Sequence, residues 1–282
     1  MAENPNPAPI LFDRALLLAR QRRARRLGAA EFLLDRVAED MEERLRAVMR
    51  DFSDATDLWT PGEVLRGPVR GRFKTFTQLR LEDSPGEVLP LQPGSLDLVI
   101  SALAFQFVND LPGVLAQVRR ALRPDGLLLA AMIGGDTLTE LRQCFAAAEA
   151  ECEGGVSPRV APFADLRDAG GLLQRAGFAL PVVDLDRAVT RYGDMLALMR
   201  DLRAMGATNA LIARSRKPLR RDVLFRAAQI YAERFADGDG RLRATFDMVW
   251  LAGWAPHESQ QKPLKPGSAK MRLADALKSG GE

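Results

Sequence analysis

The stretch SLDLVISALAFQFVNDLPGVLAQVRRALRPDGLLLAAMIGGD, residues 95–136, decides the fold. Its apolar runs 96–100 and 127–133 predict buried strands, and the segment 111–122 between them predicts an amphipathic helix. A turn follows this helix, and Gly126 can adopt a positive φ there. A strand, a helix and a second strand in this order are typical of a parallel sheet with crossover helices. The sequence therefore predicts an α/β, doubly wound, mostly parallel sheet.

The polar residues at the end of the first of these strands are candidate ligand contacts. In a sheet of this kind, ligands bind in the crevice beyond the carboxyl ends of the strands. Ser101 and Ala102 stand at such an end, so we expect them to contact a cofactor. Gln106 and Asn109 follow, and we expect them to hold a substrate. Asp110, which precedes Leu and Pro, fits the N-cap of the next helix better than a substrate contact.

The flanking segments predict a helical N-terminus, a helical insertion and a polar C-terminus. Apolar residues at helical spacing before residue 50 predict two helices after a Pro- and Asn-rich start. We expect a tail and a helical cap over residues 1–50. The α/β domain then spans 51–256, with a helical insertion at about 190–240, and a polar tail follows over 257–282.

Composition and charge exclude several classes of protein. The formal net charge is +3 because 37 acidic residues nearly balance 40 basic ones, which argues against nucleic-acid binding. Cys144 and Cys152 with a single histidine cannot build an ordinary zinc site, so we expect reduced, buried thiols and no metal. No apolar run reaches the ~20 residues of a membrane helix, and the start lacks the pattern of a signal peptide. We therefore expect a cytoplasmic protein with at most peripheral membrane association.

Four stretches carry a resemblance to a known family. Residues 95–142 resemble the second half of a class I S-adenosylmethionine-dependent methyltransferase domain. The segment LMRDLRAMGATNAL, 198–211, is similar to the malonyl-carrier-protein methyltransferases of the biotin pathway. The segments FDRALLLARQRRA, 12–24, and GWAPHESQQKPL, 253–264, resemble the alphaproteobacterial and mitochondrial branch of their relatives. That branch contains the assembly factor of respiratory complex I that hydroxylates an arginine on a quinone-site subunit.

This resemblance implies a function as well as a fold. It implies a protein that binds S-adenosylmethionine and acts on a protein substrate, a subunit of complex I, by methylation or arginine hydroxylation. One alternative is a catalytically inactive scaffold that binds an unassembled subunit without a cofactor. A weaker alternative is a carboxyl methyltransferase for an acyl group on a carrier protein. No spacing indicates a nucleophile with its base, so the catalytic residues stay unassigned.

The first cofactor motif of the superfamily is matched only in part. The motif is an acidic-Leu-Gly loop with further glycines; here Asp57 and Leu58 match it, Trp59 replaces the first glycine, and Gly62 remains. Glycines let backbone N–H groups approach the ligand, whereas a Trp side chain would occupy that approach and Pro61 removes a donor. The sequence therefore predicts an eroded cofactor loop with Asp57 and Gly62 as its remaining contacts.

The segment of this chain that corresponds to the region between the family's first and fourth strands is too short for two strand–helix units. Two strand–helix crossovers need roughly 60 residues, and 40 positions separate Asp57 from Asp97. We therefore expect the sheet to be shortened by one strand–helix unit. Glu82 and Asp83 are the candidates for the carboxylate that binds the ribose. Asp83 is also a candidate to replace the family's adenine-contacting Asp, which would fall at Pro85.

His257, the single histidine, lies in the polar tail that carries the most specific part of the resemblance. This resemblance predicts that His257 binds a partner or closes the site. The tail contains too few apolar residues to fold alone. We expect it to fold back across the mouth of the cofactor crevice or to dock on a client subunit.

Overall fold

A six-stranded sheet forms the centre of the part of the chain that the computed structural model describes, residues 10–67 and 72–261. The strands are β1 (Asp54–Leu58), β2 (Thr75–Leu79), β3 (Leu96–Ala102), β4 (Leu122–Gly134), β5 (Ala179–Tyr192) and β6 (Leu242–Trp254). Their order in the sheet is β2-β1-β3-β4-β6-β5. Strands β1 to β4 are parallel, whereas β6 pairs antiparallel with β4 and β5. The predicted mostly parallel α/β sheet is confirmed.

Helices pack on both faces of this sheet. They are α1 (Arg14–Leu27), α2 (Phe32–Ala47), α3 (Leu111–Ala121), α4 (Thr139–Glu153), α5 (Leu166–Arg175), α6 (Met195–Ala204) and α7 (Arg221–Phe235). Successive residues of a strand point to opposite faces. Ile100 of β3 accordingly packs with Val37 of α2, in a cluster that also includes α4 and α7. Val99 packs on the other face with Val114 of α3, in a cluster that also includes α5.

The predicted shortening of the sheet is confirmed within the described residues. A single strand, β2, lies between β1 and β3 in the chain, and it pairs in parallel with β1. Two single turns of 3-10 helix, Leu81–Asp83 and Pro85–Glu87, connect β2 to β3 where a crossover helix would otherwise stand. The segment that carries Glu82 and Asp83 is therefore short and lies at the carboxyl end of β2.

The start of helix α1 lies at the carboxyl edge of the sheet. The side-chain oxygen of Asn109 accepts hydrogen bonds from the backbone N–H groups of Leu11 and Phe12, each at 2.8 Å. The Phe12 ring also meets Phe107 edge to face, with ring centroids 5.8 Å apart. These contacts fix the start of α1 to the segment after β3. Asp110 caps α3 as expected, because its carboxylate accepts from the backbone N–H of Gly113 at 3.0 Å.

Two local expectations need correction. In the segment before the buried part of β4, Asp125 rather than Gly126 has the positive φ, +67°. Gly126 is required for space, because a Cβ there would stand 3.0 Å from the carbonyl oxygen of Arg123. Of the two thiols, Cys144 is buried and burial raises its pKa to about 12, whereas Cys152 is half-buried.

Candidate functional site

Trp59, which stands where the family motif has glycine, has a backbone conformation that favours glycine. It follows the last residue of β1, and its φ is +67°, in the left-handed region that side chains other than glycine rarely adopt. Its backbone N–H donates to the carbonyl oxygen of Leu79 at 2.8 Å, which continues the pairing of β1 with β2. The loop after β1 therefore keeps the path of a glycine loop, although a Trp occupies the position.

The Trp59 side chain fills the space beyond the ends of β1 and β2. Its exposed fraction is 3%, and its indole Nε1 donates to the hydroxyl of Ser84 at 3.1 Å. The Arg14 guanidinium lies over the indole, 5.5 Å from the ring centroid, and donates to the carbonyl oxygen of Ser84 at 2.7 Å. We call this space, bounded by Leu79, Ser84 and Arg14, the β1–β2 crevice. It is closed by side chains of the protein itself.

Asp57 is fully buried next to this crevice. Its Oδ2 accepts a hydrogen bond from the Gln78 side-chain amide at 3.1 Å, and the same amide donates to the Gly62 carbonyl at 2.8 Å. No hydrogen bond of normal geometry reaches its Oδ1 from the described residues. Burial raises the pKa of Asp57 to about 6, because a carboxylate that leaves water loses solvation, while the nearby Thr60 and Gln78 oppose this rise. Asp57 thus supports the loop through Gln78.

The candidate ribose ligands are engaged within the chain. The carboxylate of Glu82 lies 3.9 Å from the guanidinium of Arg25 on α1. Asp83 accepts from the backbone N–H of Arg80 at 2.8 Å and so closes its own turn. Both residues lie at the carboxyl end of β2. The Asp83 carboxylate that accepts from Arg80 serves to stabilise the turn.

The candidate contacts at the end of β3 are engaged as well. The Ser101 hydroxyl donates to the carbonyl oxygen of Leu58 at 2.8 Å. The backbone N–H of Ala102 donates to the Thr60 hydroxyl at 2.9 Å. Ser101 and Ala102 are both fully buried. They tie the end of β3 to the loop after β1 rather than face an open site.

Together these contacts do not fit the nucleoside half of S-adenosylmethionine. The space beside β1 and β2 is filled by an indole, and the donors and acceptors that would bind the ribose have partners in the chain. The indole is the obstacle, because the half-buried Glu82 and the exposed Asp83 stay accessible from solvent.

An open cavity lies beside this filled crevice. Its volume is about 360 Å³, within the ~300–1,000 Å³ typical of ligand sites. It is lined by the N-terminal helices and by the segments that follow β1, β3 and β4. The segment 159–163 and the segment from α6 to residue 219 complete the wall. Most of its wall is apolar and includes Phe107, Leu138, Phe145 and Met199. We call it the main cavity.

Two of the predicted site residues line the main cavity. Gly62 reaches it from the loop after β1, with φ +76°, and Gln106 reaches it from the turn after β3. Gln106 donates to the Leu103 carbonyl at 2.6 Å, which sets the orientation of its amide. Asn109 is not part of the wall, because its amide holds the N-terminal segment. The sequence reasoning missed Glu31, which begins α2 and lines the cavity.

The segment after β4 is held in place by a buried carboxylate. Asp247 of β6 accepts from Arg187 of β5 at 2.7 Å and from the backbone N–H of Asp136 at 2.9 Å. Burial acts to raise the pKa of Asp247, but the hydrogen bonds from Arg187 and Asp136 hold it below its ordinary value. A Cβ on Gly135 would stand 2.5 Å from this carboxylate, so the turn needs glycine there. Thr137 and Leu138 follow this turn and form part of the cavity wall.

His257 lies far from the main cavity. It follows β6, whose end, Trp254, pairs with Leu127 near the start of β4, and Gln260 donates to Asp125 at 2.8 Å. This is the amino edge of the parallel strands, opposite the cavity. The expectation that His257 closes the site is therefore wrong, and contact with a partner stays a prediction. Residues 262–282 of the predicted tail lie outside the described residues.

The described residues contain neither a group of metal ligands nor a membrane-spanning helix. Within 10–67 and 72–261, no three or more His, Cys, Asp or Glu side chains are grouped so that they could hold a metal ion. In that part of the chain, none of the helices combines the length and the apolar character needed to cross a membrane.

Comparisons with known proteins agree with this architecture. The family model of a methyltransferase domain matches residues 65–130. A crystal structure from Bacillus halodurans C-125, described as a methyltransferase, superimposes with a TM-score of 0.50 at 11% identity, over 76% of this chain and 98% of that one. The fold and the matched domain together define a member of the class I S-adenosylmethionine-dependent methyltransferase superfamily.

Relatives in sequence define the branch. The arginine-hydroxylase NDUFAF5, mitochondrial, of Rattus norvegicus is 34% identical over 94% of this chain and 83% of its own length. The chain belongs to this family. The Danio rerio protein of the same name is 45% identical over 69% of the chain, a match that spans 60% of that relative. The malonyl-[acyl-carrier protein] O-methyltransferase of Laribacter hongkongensis is 44% identical over 64% of the chain and 58% of its own length.

Proposed function

We propose that this chain acts in the assembly of respiratory complex I by binding a protein client and taking one of its side chains into the main cavity. Membership of the arginine-hydroxylase family supports an arginine-bearing client. The observation that carries the proposal is the main cavity itself, which lies at the ligand-binding edge of the sheet and has room for a long side chain. The client is a subunit of complex I, bound without nucleic acid and with at most peripheral membrane contact, and the protein is cytoplasmic.

The filled β1–β2 crevice bears on the form that this function takes. Trp59 occupies the position where a nucleoside would lie, which favours a scaffold that binds its client without S-adenosylmethionine over a cofactor-dependent methyltransferase. The carrier-protein alternative draws support from the Laribacter hongkongensis relative. The apolar wall of the main cavity also suits an acyl chain, so a client protein and an acyl carrier have to be separated by experiment.

The test blocks the main cavity from its mouth. Ala29 lies in the exposed loop between α1 and α2 and forms part of the wall, so Ala29→Trp places a large side chain there without disturbing the core. We expect assembled complex I to fall at least about tenfold in cells whose only copy carries this variant, because ~1.4 kcal/mol of lost binding is a factor of ten. Assembled enzyme is measured by native electrophoresis of membranes.

Ala47→Trp provides the matched control. Ala47 is the exposed last residue of α2 and is not part of the cavity wall, so the same substitution there should leave assembly unchanged. Normal assembly with Ala29→Trp, at normal protein levels, would contradict the proposed function. Loss of a methylated carrier-protein product instead of complex I would favour the acyl-carrier alternative.

A further inference from the structure

Glu31 gives the main cavity a carboxylate that the protein itself does not use. It is the residue before α2 and the one acid among the described residues of the wall. Its side chain makes no cap hydrogen bond to α2 and has no ion-pair or hydrogen-bond partner in the described chain. Its Oε1 lies 3.0 Å from where a Cβ on Gly62 would stand, so the carboxylate lies directly beside the loop after β1. A glycine at that position makes the approach possible.

The positive charges of the wall do not neutralise Glu31. Each of the four arginines there is engaged with another group: Arg25 pairs with Glu82 at 3.9 Å, Arg159 with Glu149 at 2.6 Å, Arg214 with Asp13 at 3.1 Å, and Arg20 donates to the carbonyl oxygen of Thr208 at 2.8 Å. Glu31 is half-buried, so water meets part of its charge, while the apolar groups around it strengthen its attraction for a cation. The arrangement therefore leaves one negative group with which a cationic ligand can pair.

The rest of the wall suits the stem of a long side chain. It is largely apolar and includes Phe107, Leu138 and Met199. A ligand that suits these features has a long apolar stem and a planar cation with several N–H donors. A guanidinium has this form and binds a carboxylate through two parallel hydrogen bonds.

We propose that Glu31 is the residue that binds the guanidinium of the client's arginine in the main cavity. This inference rests on the proposed function, because that function supplies a protein side chain as the ligand. Apolar side chains of the wall, such as Phe107 and Leu138, hold the methylene stem. Glu31 is a specificity-determining residue: it selects a cationic side chain over a neutral one of equal size.

The test compares probes that differ in charge but little in shape. Binding of N-acetyl-arginine amide, its neutral citrulline analogue and N-acetyl-lysine amide to the full chain is measured by NMR titration. We expect the arginine probe to bind at least tenfold more tightly than the citrulline probe. Glu31→Gln should remove this discrimination, while Glu31→Asp should weaken binding of the arginine probe and keep the preference for it.

Glu39→Gln is the matched control. Glu39 is an exposed acid on α2 outside the cavity wall, and its loss changes the net charge of the protein as much as Glu31→Gln does. The control should bind the arginine probe as the unmodified protein does. Equal binding of the arginine and citrulline probes by the unmodified protein, no binding of the arginine probe, or discrimination that survives Glu31→Gln would each overturn the inference.

The proposed function fails by a different result. If Ala29→Trp supports normal assembly of complex I, the cavity is not the client site, whatever the probes show. If Ala29→Trp blocks assembly but Glu31→Gln still discriminates between the probes, the cavity binds the client and a different residue selects its charge.

Discussion

The β1–β2 crevice and the main cavity lie side by side at one edge of the sheet, and their polar groups differ in a consistent way. In the crevice, the Trp59 indole and the Ser84 hydroxyl are joined to each other, and Asp83 closes its own turn. In the main cavity, the half-buried Glu31 carboxylate has no partner among the described residues. The difference favours the main cavity over the crevice as the place where the proposed client side chain binds.

Exposure explains how the two sites can differ. The half-buried Glu31 carboxylate keeps part of its contact with water, so it can stay without a partner in the chain and exchange that water for a ligand. The Trp59 indole in the crevice, by contrast, stabilises the fold, because its burial removes apolar surface from water. The buried Asp57 departs from this pattern, because no hydrogen bond of normal geometry reaches its Oδ1 from the described residues.

The largest expected effect is that of reopening the crevice with Trp59→Gly. Removing a buried Trp side chain costs about 3–5 kcal/mol, and relief of the positive φ returns roughly 1 kcal/mol, so we expect the free energy of unfolding to fall by about 2–4 kcal/mol. Apolar cavities made in this way bind small apolar molecules. Added indole should therefore raise the melting temperature of the variant and leave that of the unmodified protein unchanged.

Trp59→Phe serves as the control for this experiment. Phenylalanine keeps most of the apolar volume but cannot donate to the Ser84 hydroxyl. The free energy of unfolding should therefore fall by ~1 kcal/mol for the lost hydrogen bond, and by a further amount because the Ser84 hydroxyl loses its donor. Indole should not stabilise this variant. If Trp59→Gly were as stable as the unmodified protein, the indole would not fill the crevice in solution. The contrast between a filled crevice and an open main cavity would then disappear.

Much of this architecture follows from the sequence, because strand and helix patterns are local. The parallel strands β3 and β4, the capping role of Asp110 and the loss of one strand–helix unit were all predictable from apolar runs, turn residues and spacing. Trp59 at the position of a cofactor glycine was also visible. What this side chain does there depends on Ser84 and Arg14, which lie 25 and 45 positions away in the sequence, and no local pattern indicates those contacts.

The site itself was predicted less well for the same physical reason. Ser101, Ala102 and Asn109 were correctly placed at the carboxyl edge, but the sequence could not show that their hydrogen bonds are made within the chain. Glu31 was missed because an acid at the start of a helix is commonly a favourable partner of the helix dipole. Its importance arises only from the wall that α1, α2 and the loop after β1 form together.

A smaller effect is expected from the charge of Asp57. Its pKa is raised from 3.8 to about 6 in the folded protein, so the folded state disfavours the carboxylate. The stability associated with the protonated form is fully present below the unfolded pKa of about 4 and is lost as the pH rises through about 6. Asparagine carries no charge at any pH, so Asp57→Asn removes this loss of stability at high pH. We expect the variant to be more stable than the unmodified protein by roughly 1–3 kcal/mol at pH 8, with no gain below about pH 4.

Chemical denaturation between pH 4 and pH 8 measures this difference. Asp51→Asn, at an exposed position shortly before β1, is the control and should show no such change with pH. A variant that is less stable than the unmodified protein at pH 8 would mean that a cation meets Asp57 Oδ1 in solution. That result would bring Asp57 and its neighbours back into consideration as part of a working ligand site.

The smallest expected effect is the response of the unmodified protein to S-adenosylmethionine. A ligand at its dissociation constant stabilises a protein by about 0.4 kcal/mol, and at a hundred times that concentration by about 2.7 kcal/mol. Because Trp59 fills the crevice, we expect a dissociation constant above about 1 mM and hence a shift in melting temperature below about 1 °C at that concentration. Trp59→Gly tests the cause, since the loop already has the path of a glycine loop and should gain a measurable shift once the indole is gone. A shift of several degrees in the unmodified protein would show that Trp59 moves aside for the nucleoside, and the chain would then act with its cofactor rather than as a scaffold.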